Sequence, residues 1–446
     1  MPINQAIFKA YDIRGVYPMD FGDETPYRVA QALVEFTKAR RVVLGYDARK
    51  STPKLLGEVK KGLLDLGVEV VDVGLVTTPM FYFAVASDKK AGAGLMVTAS
   101  HNPAKYNGFK LVSAEARPIG GKSGMSEIAK CAEVAPFPRV RGGKIIKRAI
   151  LKSYLDQVFK VAGVKKLPLK VAIDAGNGMV GVPLPTFLKR AGLQAKVLYG
   201  KVDCSFPNHE ANPLKEKTLV ELKKLIASSR AQVGIAYDGD ADRVGFIDER
   251  GHTVPGDLVG ALIATELLKK HRRALIFGDV RSGWAYKESV EAAGGKFELC
   301  PVGHANIKKL MREKGALFAA EMSYHFYFKD FFYFESALLA TLLLLKIVAE
   351  KKRPLSELLK PFQKYAASGE KNFEVKNAAG VIAAIRKKYG SKAEKIADFD
   401  GLRLEFTDWW LSFRASNTEP LLRLNLEART EKLMKEKLVA VVKLIK

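Results

Sequence analysis

Three aspartates at alternate positions are candidates for metal binding. They belong to the loop Asp238-Gly239-Asp240-Ala241-Asp242-Arg243, which joins two short apolar runs. Oxygen ligands at this density suit a hard cation, Mg²⁺ or Ca²⁺. An EF-hand is excluded, because Arg243 stands where that motif requires glycine and the flanking segments are typical of strands. Three carboxylates leave room for a phosphate oxygen in the coordination shell of Mg²⁺, so the loop predicts a site of phosphoryl transfer. The alternative interpretation of the loop is a turn with aspartates on the protein surface.

A serine after another apolar run is a candidate nucleophile. Ser100 lies in the turn 98–103, directly after residues 95–97, with His101 beside it. A side chain on a turn that leaves a buried strand is held rigidly and exposed, as a covalent nucleophile requires. In isolation, an Asx-type turn at a strand end explains the same residues. The aspartate loop strengthens the catalytic interpretation, because a metal site and a nucleophile together suit phosphoryl transfer.

Two further turns carry side chains suited to a phosphosugar. Glu321 and Ser323 follow an apolar run and can pair with sugar hydroxyls, although His325 could equally pack beneath the aromatic residues 326–328. The last turn combines an arginine with small hydroxyl and amide side chains and free backbone N–H groups, which together make a phosphate cradle. Its residues are Arg414, Ser416, Asn417 and Thr418. In isolation, a polar hairpin turn explains them as well.

The elements that must position these turns repeat three times along the chain. The strand-like runs are residues 42–47, 67–74 and 95–97, then 171–174, 194–198 and 233–237, then 274–279, 296–300 and 317–320. Short apolar runs that alternate with amphipathic helices predict α/β units with buried, largely parallel strands. A period of about a hundred residues indicates tandem domains instead of a solenoid. Since open α/β sheets place ligands at the carboxyl ends of their strands, we expect the turns to converge on one cleft.

The C-terminal segment departs from this pattern. After residue 361 it is predicted to form a strand at 373–375, a helix at 379–388, strands at 401–407, 410–416 and 421–427, and a final helix. The predicted fold is therefore α/β, with three tandem similar domains that have mixed, largely parallel sheets, and a C-terminal α+β domain whose sheet is mainly antiparallel. The predicted domain boundaries are 1–147, 148–252, 253–365 and 366–446.

Composition and charge limit the classes of protein. The chain has 446 residues, of which 48% are hydrophobic and 27% charged, as in a folded protein of several domains. The net charge of +25 is spread along the chain without a basic tail, so nucleic-acid binding is not expected. The three cysteines have no paired spacing, which argues against disulfide bonds and a zinc site. Together with the lack of a signal-peptide pattern, this predicts a cytoplasmic location. The apolar stretch 337–345 is too short to span a bilayer and predicts a buried helix, so no membrane association is expected.

Taken together and in this order, the four turns resemble those of the α-D-phosphohexomutase superfamily, in its bacterial and archaeal phosphomannomutase/phosphoglucomutase branch. The resemblance extends from residues 8–15 to the Arg414 turn, which is nearly the full length. It implies a heart-shaped, Mg²⁺-dependent enzyme of four domains, expected to be a monomer or weak dimer. The implied reaction is reversible transfer of phosphate between the 1- and 6-positions of mannose or glucose, through a phosphoserine and a hexose 1,6-bisphosphate.

The resemblance also implies roles for individual residues. Ser100 matches the phosphoserine and a metal ligand, and the other metal ligands are Asp238, Asp240 and Asp242. Substrate-binding roles fall on Arg281, Glu321, Ser323, Arg414, Ser416, Asn417 and Thr418. The further catalytic groups around the reacting phosphate are Arg14, His101, Lys110, Arg243 and His304.

Three positions depart from the family pattern. Ala320 and Tyr324 stand where the family has glycines, and Ala241 replaces a glycine of the metal loop. The ring of Tyr324 is expected beside the sugar-reading residues. The sequence Glu-Met-Ser at 321–323 favours mannose and glucose phosphates over the substrate of the phosphoglucosamine branch. Competing hypotheses are a phosphosugar phosphatase, if water reaches the phosphoenzyme, and a non-catalytic polyanion-binding protein, which the positive charge suggests.

Overall fold

Four β-sheets with their helices make up the fold in the computed structural model, which describes residues 3–415 and 421–445. Three of the sheets share one arrangement and the fourth differs, so the fold class predicted from the sequence is confirmed. We call the corresponding regions domains I to IV. No helix within the described ranges is long and apolar enough to cross a membrane.

Domain I carries the Ser100 turn between two neighbouring strands. Its elements are β1 (Ile13–Val16), α1 (Thr25–Thr37), β2 (Arg41–Tyr46), α2 (Thr52–Asp65), β3 (Glu69–Leu75), α3 (Thr78–Ser87), β4 (Ala93–Val97), β5 (Tyr106–Ser113), β6 (Arg117–Pro118), α4 (Met125–Val134) and β7 (Lys144–Lys147). The sheet order is β1-β5-β4-β2-β3-β7, with β6 paired to β5. Thr77 starts α3 by accepting a hydrogen bond from the N–H of Met80 at 3.2 Å. The Ser100 turn joins β4 to the antiparallel strand β5.

Domain II carries the aspartate turn in the same place. Its elements are α5 (Leu151–Ala162), β8 (Lys170–Asp174), α6 (Leu184–Ala191), β9 (Gln194–Leu198), α7 (Val220–Ser229), β10 (Val233–Tyr237), β11 (Val244–Ile247) and β12 (Thr253–Val254). The sheet order is β12-β11-β10-β8-β9. Strand β8 is parallel to β9 and β10, whereas β11 returns antiparallel to β10. The aspartate turn joins β10 to β11.

Domain III carries the Glu321 turn and a buried helix. Its elements are α8 (Gly256–Leu268), β13 (Leu275–Asp279), α9 (Trp284–Ala292), β14 (Lys296–Cys300), α10 (His304–Lys314), β15 (Phe318–Ala320), β16 (Phe326–Phe328), β17 (Phe334–Glu335), α11 (Ala337–Lys351) and α12 (Leu355–Leu359). The sheet order is β14-β13-β15-β16-β17. Ser336 starts α11 by accepting a hydrogen bond from the N–H of Leu339 at 3.3 Å. Most of α11 is buried, as its apolar sequence predicted.

One strand order therefore occurs in all three α/β domains. It reads β5-β4-β2-β3 in domain I, β11-β10-β8-β9 in domain II and β16-β15-β13-β14 in domain III. In each domain the functional turn leaves the carboxyl end of the third parallel strand and enters the antiparallel return strand. This is the edge where open α/β sheets bind ligands.

Domain IV has an antiparallel sheet and an apolar core of its own. Its elements are β18 (Ala366–Ala367), β19 (Lys371–Glu374), α13 (Ala378–Tyr389), β20 (Lys395–Ala397), β21 (Leu402–Glu405), β22 (Trp409–Ala415), β23 (Leu421–Ala428) and α14 (Glu431–Val442). Polar groups connect it to domain III: Arg403 donates to the carbonyls of Val280 at 2.9 Å and Ser282 at 2.8 Å. The contact between domains III and IV is therefore partly polar, as contacts between domains of one chain commonly are.

Candidate active site

Loops from domains I, II and III meet at one place. We call them the Ser100 loop (98–105), the aspartate loop (238–243) and the Glu321 loop (321–325). A Cβ atom added to Gly239 would lie 2.5 Å from the carbonyl oxygen of Ser100, so these two loops are in direct contact. The Nζ atom of Lys110, on β5, lies 2.8 Å from Asp242 Oδ2. His325 Nε2 lies 3.3 Å from Asp242 Oδ1, which brings in the third loop.

Ser100 occupies a constrained turn. Its φ angle is 53°, in the left-handed region that non-glycine residues rarely adopt. Its N–H donates to Thr98 Oγ1 at 3.1 Å, and its Oγ lies 3.2 Å from Nδ1 of His101. Such a conformation persists only where the surrounding structure determines it. The serine is therefore held in one orientation, as a nucleophile requires.

The three aspartates form a buried acidic cluster. Asp238, Asp240 and Asp242 are 0 to 2% exposed, and one carboxylate oxygen from each lies within 4.8 Å of the others. Asp238 Oδ2, Asp240 Oδ1 and Asp242 Oδ1 are buried and accept no hydrogen bond from the described residues, although charged groups lie 3.9 Å from the first and 3.3 Å from the last. Buried acceptors of this kind require a partner. Oxygen ligands with unfilled acceptor capacity fit a hard divalent cation such as Mg²⁺.

The charges in the cluster are strongly coupled. Burial and the two neighbouring carboxylates raise the pKa of Asp238 well above its usual value. Burial would also raise the pKa of Asp242, but Lys110 and His325 hold it well below the usual range. Lys110 is itself 5% exposed and lies 3.1 Å from Asp240 as well as 2.8 Å from Asp242. The cluster therefore attracts positive charge, which is the property of a cation site.

His325 joins the aspartate loop to the Glu321 loop. Its Nδ1 lies 3.1 Å from Glu321 Oε2, its Nε2 lies 3.3 Å from Asp242 Oδ1, and Arg243 Nε is 3.3 Å from the same Nε2. The sequence allowed two interpretations of His325, as a residue packed beneath aromatic side chains or as part of the site. In the structure it lies in the site. The signal was its spacing, because Glu321, Ser323 and His325 alternate as the three aspartates do.

Glu321 is fully buried and held by several donors. Tyr327 donates to its Oε2 at 2.6 Å, and the N–H of Gly303 donates to its Oε1 at 3.0 Å. Burial opposes ionisation, but His325, Arg281 and Tyr327 lower the pKa of Glu321 to about 2. Ser323 Oγ lies 3.3 Å from His325 Nδ1. The carboxylate is thus charged and fixed in orientation.

The expectation for Tyr324 is wrong in one respect. Its side chain is only 6% exposed and belongs to the apolar core that domains I to III share. A Cβ atom added to Gly245 on β11 would lie 3.4 Å from the tyrosine ring, and the N–H of Val244 donates to the Tyr324 carbonyl at 3.1 Å. The ring therefore packs under the loop against domain II because its left-handed backbone, with φ of 68°, turns it inward.

Further predicted groups surround the Ser100 loop. Arg14 donates to Asn102 Oδ1 at 2.7 Å and also pairs with Asp12. His304 begins α10, where its Nδ1 is buried without a hydrogen-bond partner among the described residues. Burial is the main cause that lowers the pKa of both His101 and His304 well below the usual histidine value. The neutral form of both imidazoles is therefore favoured.

The remaining substrate-binding residues lie on domains III and IV. Arg281 pairs with Asp279 through two hydrogen bonds of 3.0 and 2.7 Å, and its Nη2 lies 3.9 Å from Glu321. Arg414, at the end of β22, donates to Asp400 at 3.0 Å. The other predicted members of this cradle lie outside the described residues; they are Ser416, Asn417 and Thr418.

Comparison with known proteins identifies the family. The four domain descriptions of phosphoglucomutase/phosphomannomutase match residues 5–138, 152–251, 255–365 and 370–444, in the order alpha/beta/alpha domains I, II and III and C-terminal domain. The phosphomannomutase of Salmonella typhimurium is 38% identical over 95% of this chain and 94% of its own length. That of Methanocaldococcus jannaschii is 36% identical over 98% of this chain and 97% of its own.

A solved structure agrees with these matches. A phosphoglucomutase/phosphomannomutase family protein from Burkholderia thailandensis has a TM-score of 0.90 and 32% identity, covering 99% of this chain and 98% of its own. The resemblance seen in the sequence is thereby confirmed over nearly the full length. The chain belongs to the phosphoglucomutase/phosphomannomutase family, and it is an isomerase that transfers phosphate on hexose phosphates.

Proposed function

We propose that Ser100 carries the phosphoryl group and exchanges it between the 1- and 6-positions of mannose or glucose phosphate through a hexose 1,6-bisphosphate. The observation that carries this proposal is the direct contact between the Ser100 loop and the buried aspartate cluster, through Gly239. A nucleophile beside a cation site is the arrangement that phosphoryl transfer needs. The same contact disfavours a polyanion-binding protein, which has no use for a buried acidic cluster.

The charges around Ser100 suit a phosphoserine. A phosphate on its Oγ carries a charge of about −2 at neutral pH and needs neutralisation. Lys110 and Arg243 lie against the aspartate cluster, and Arg14 lies against the Ser100 loop. When bound by the cluster, and by Ser100 as a further ligand, Mg²⁺ supplies charge neutralisation for the transferring phosphoryl group.

The transfer step also moves a proton. The bond between Ser100 Oγ and phosphorus breaks, a bond between phosphorus and a sugar oxygen forms, and the proton of that sugar hydroxyl needs an acceptor. We assign His304 as the first candidate acceptor, because its buried Nδ1 has no hydrogen-bond partner among the described atoms. His101, which lies 3.2 Å from Ser100 Oγ, is placed to exchange a proton with the serine itself.

The Glu321 loop and the Arg414 turn would bind the sugar in its two orientations. Glu321 and Ser323 would read the hydroxyls of the sugar, while Arg414 with Ser416, Asn417 and Thr418 would hold the phosphate that does not react. After the first transfer the bisphosphate turns around and presents its other phosphate to Ser100. The polar surface between domains III and IV suits the opening that this step needs, and reclosure shields the phosphoenzyme from water.

The choice of sugar, the cellular location and the oligomeric state remain predictions. Because the ring of Tyr324 packs inside the protein, it gives no reason to expect a reshaped sugar pocket, and mannose and glucose phosphates remain the proposed substrates over glucosamine phosphate. We retain the cytoplasmic location, the monomer or weak dimer, the absence of nucleic-acid binding and the four predicted domain boundaries as part of this proposal.

A coupled assay tests the function. Mannose 1-phosphate or glucose 1-phosphate is supplied with Mg²⁺ and a trace of hexose 1,6-bisphosphate, and formation of the 6-phosphate is followed. Ser100→Ala should abolish turnover, whereas the exposed control Ser126→Ala should not. Mass spectrometry should find phosphate on Ser100 of the wild type. Turnover by Ser100→Ala at the wild-type rate refutes the phosphoserine, and release of inorganic phosphate as the main product identifies a phosphatase instead.

A further inference from the structure

An aspartate lies at the end of the first parallel strand of each α/β domain or directly after it. These residues are Asp47 after β2, Asp174 at the end of β8 and Asp279 at the end of β13. In domains I and III an arginine follows two residues later, as Arg49 and Arg281. Domain II has Gly176 at that position, and Asp174 pairs with His209 at 2.9 Å instead. The motif Asp-x-Arg is therefore shared by the domains of the Ser100 loop and the Glu321 loop.

In both motifs the aspartate accepts from the backbone N–H and the Nε of the arginine, although the oxygens used differ. Asp47 accepts the backbone N–H of Arg49 at 3.1 Å and its Nε at 3.1 Å. Asp279 accepts the backbone N–H of Arg281 at 2.7 Å and its Nε at 3.0 Å. In domain III the second oxygen of Asp279 also accepts the N–H of Met322 at 2.9 Å, which ties the motif to the Glu321 loop. The motif thus connects the end of the first strand to the loop after the third strand.

In domain I the arginine itself makes this connection. Arg49 is 1% exposed, and its Nη2 donates to the carbonyls of Ser100 at 2.8 Å and Asn102 at 2.7 Å. Its Nη1 donates to the carbonyls of Pro103 at 2.8 Å and Tyr106 at 3.0 Å. With Nε on the aspartate, all five guanidinium donors are used inside the protein. No donor is left for a substrate phosphate, so any effect of Arg49 on the reaction acts through the loop.

We propose that Arg49, oriented by Asp47, is the positioning residue of the Ser100 loop and holds Ser100 in the backbone conformation from which it accepts and donates phosphate. The Ser100 carbonyl lies between the Arg49 guanidinium and Gly239 of the aspartate loop. This double contact sets the position of the serine relative to the cation site. A lysine cannot replace the arginine, because a single ammonium group cannot reach four carbonyls in a planar fork.

The proposal predicts a specific kinetic pattern. Arg49→Ala and Arg49→Lys should lower kcat by about a hundredfold, because a small misplacement of a reacting group has a cost of this size. KM for the phosphosugar should change little, since Arg49 makes no contact that a sugar could use. The exposed control Arg40→Ala should keep wild-type kinetics. Far-UV circular dichroism and the melting temperature report whether each variant is folded.

Chemical rescue separates positioning from general stabilisation. Arg49→Ala removes a guanidinium from a site that presents four carbonyl oxygens, so added guanidinium ion at millimolar concentration should restore kcat by about tenfold, whereas the same concentration of sodium chloride should not. Arg49→Lys, whose ammonium fills part of the site, should respond less. If Arg49→Ala does not fold, Arg49→Lys is compared with wild type through kcat, KM and the rate at which hexose 1,6-bisphosphate phosphorylates Ser100.

This inference rests on the proposed function, and the outcomes keep the two apart. If mass spectrometry finds no phosphate on Ser100 of the active wild type, the phosphoserine proposal fails. If wild-type Ser100 is phosphorylated and a folded Arg49 variant keeps the wild-type kcat, the positioning role of Arg49 is overturned alone. A loss that falls on KM only, or a folded Arg49→Ala that guanidinium does not rescue, also overturns it. A lower kcat with unchanged KM and guanidinium rescue supports it.

Discussion

Asp400 and Arg414 form an ion pair within domain IV, and the carboxylate of Asp400 also joins this domain to the active site of domain III. Nε of Arg414 donates to Asp400 Oδ2 at 3.0 Å, and the same oxygen accepts the backbone N–H of Val302 at 2.7 Å. Val302 precedes Gly303 and His304, the start of α10. One carboxylate oxygen thus connects the arginine proposed to bind phosphate with the loop of the proposed proton acceptor.

Removal of this carboxylate should weaken substrate binding. In Asp400→Ala, Arg414 loses the partner that orients it and Val302 loses its acceptor. We expect KM for the phosphosugar to rise by about tenfold with a smaller change in kcat, because binding of the non-reacting phosphate is affected most. Steady-state kinetics would show this. The exposed control Asp408→Ala should behave as wild type, and an unchanged KM in Asp400→Ala would contradict the role given to Arg414.

Gly239 should tolerate no side chain. A Cβ atom there would lie 2.5 Å from the Ser100 carbonyl oxygen, so Gly239→Ala must push the aspartate loop away from the Ser100 loop. We expect a loss of kcat of about a hundredfold in a folded protein. Gly57→Ala is the matched control, because nothing lies within 4 Å of an added Cβ on that helical residue and alanine favours the helix. Equal activity of both variants would show that the contact is unimportant.

The aspartate cluster should make both activity and stability depend on Mg²⁺. In Asp240→Asn, we expect the Mg²⁺ concentration for half-maximal activity to rise on the order of tenfold or more, because ligand charge sets cation affinity. At a hundred times its dissociation constant, a bound ion adds about 2.7 kcal/mol to the free energy of unfolding. The melting temperature of the wild type should therefore rise with Mg²⁺ and fall with EDTA, and that of Asp240→Asn should respond less. The exposed control Asp330→Asn should respond as wild type, and an equal response of Asp240→Asn would refute the metal site.

Much of the fold could be predicted from local sequence patterns. The predicted strand at 410–416 corresponds to β22 (Trp409–Ala415), and the predicted helix at 379–388 corresponds to α13 (Ala378–Tyr389). Apolar periodicity is a local property, so it can be read from neighbouring residues. The ends of the third parallel strands were also predictable, because an abrupt change from apolar to polar residues marks each of them.

Contacts between distant segments could not be predicted in the same way. His325 contacts Asp242, but both residues only follow strand ends in the sequence, and an aromatic neighbourhood explained the histidine equally well. The inward direction of Tyr324 depends on a left-handed backbone and on the space beside Gly245 in another domain. Four of the five side-chain hydrogen bonds of Arg49 likewise involve carbonyl groups, which every residue has and which carry no sequence signal.

Glu427 should make the stability of the contact between domains III and IV depend on pH. Burial, with a contribution from Asp257, raises the pKa of Glu427 to about 7, although donors from Trp284 and Trp410 and the charge of Arg403 oppose the shift. An acid whose pKa is higher in the folded than in the unfolded state stabilises the fold most below its unfolded pKa, near 4.5, and this stability is lost as the pH rises through 7.

Glu427→Gln isolates this effect. The amide oxygen can still accept from the N–H of Trp284 and the indole of Trp410, but the side chain no longer ionises. We expect the variant to match wild type at pH 5 and to exceed it at pH 8 by up to about 3 kcal/mol in unfolding free energy. Glu405→Gln should behave in the opposite way. Arg403 lowers the pKa of Glu405 despite burial, so removal of the Glu405 charge should lower the stability of the protein at neutral pH. If the unfolding free energies of Glu427→Gln and wild type change with pH in parallel, the raised pKa of Glu427 is refuted.

A second buried charge pair lies where domain I meets domain III. Lys308 on α10 and Glu335 on β17 are both 0% exposed, with Nζ 3.0 and 2.8 Å from the two carboxylate oxygens. The ammonium also lies 3.8 Å from the ring centre of Tyr82 on α3. Burial lowers the pKa of Lys308 to about 8 even with the carboxylate beside it. Glu335 therefore compensates the positive charge, with the ring of Tyr82 as a second partner.

Removing one charge of this pair should lower the free energy of unfolding much more than replacing both charges by apolar side chains. Glu335→Gln leaves a buried ammonium without its counter-charge, so we expect a loss of about 3 to 5 kcal/mol in unfolding free energy. The loss should be larger at pH 6 than at pH 9, because Lys308 becomes neutral at the higher pH and then needs no counter-charge. The double variant Lys308→Met with Glu335→Leu should recover most of the stability, since well-packed apolar groups can replace a buried pair. Calorimetric unfolding of the wild type, Lys308→Met, Glu335→Leu and the double variant measures the coupling, and additive effects would show that the two charges do not depend on each other.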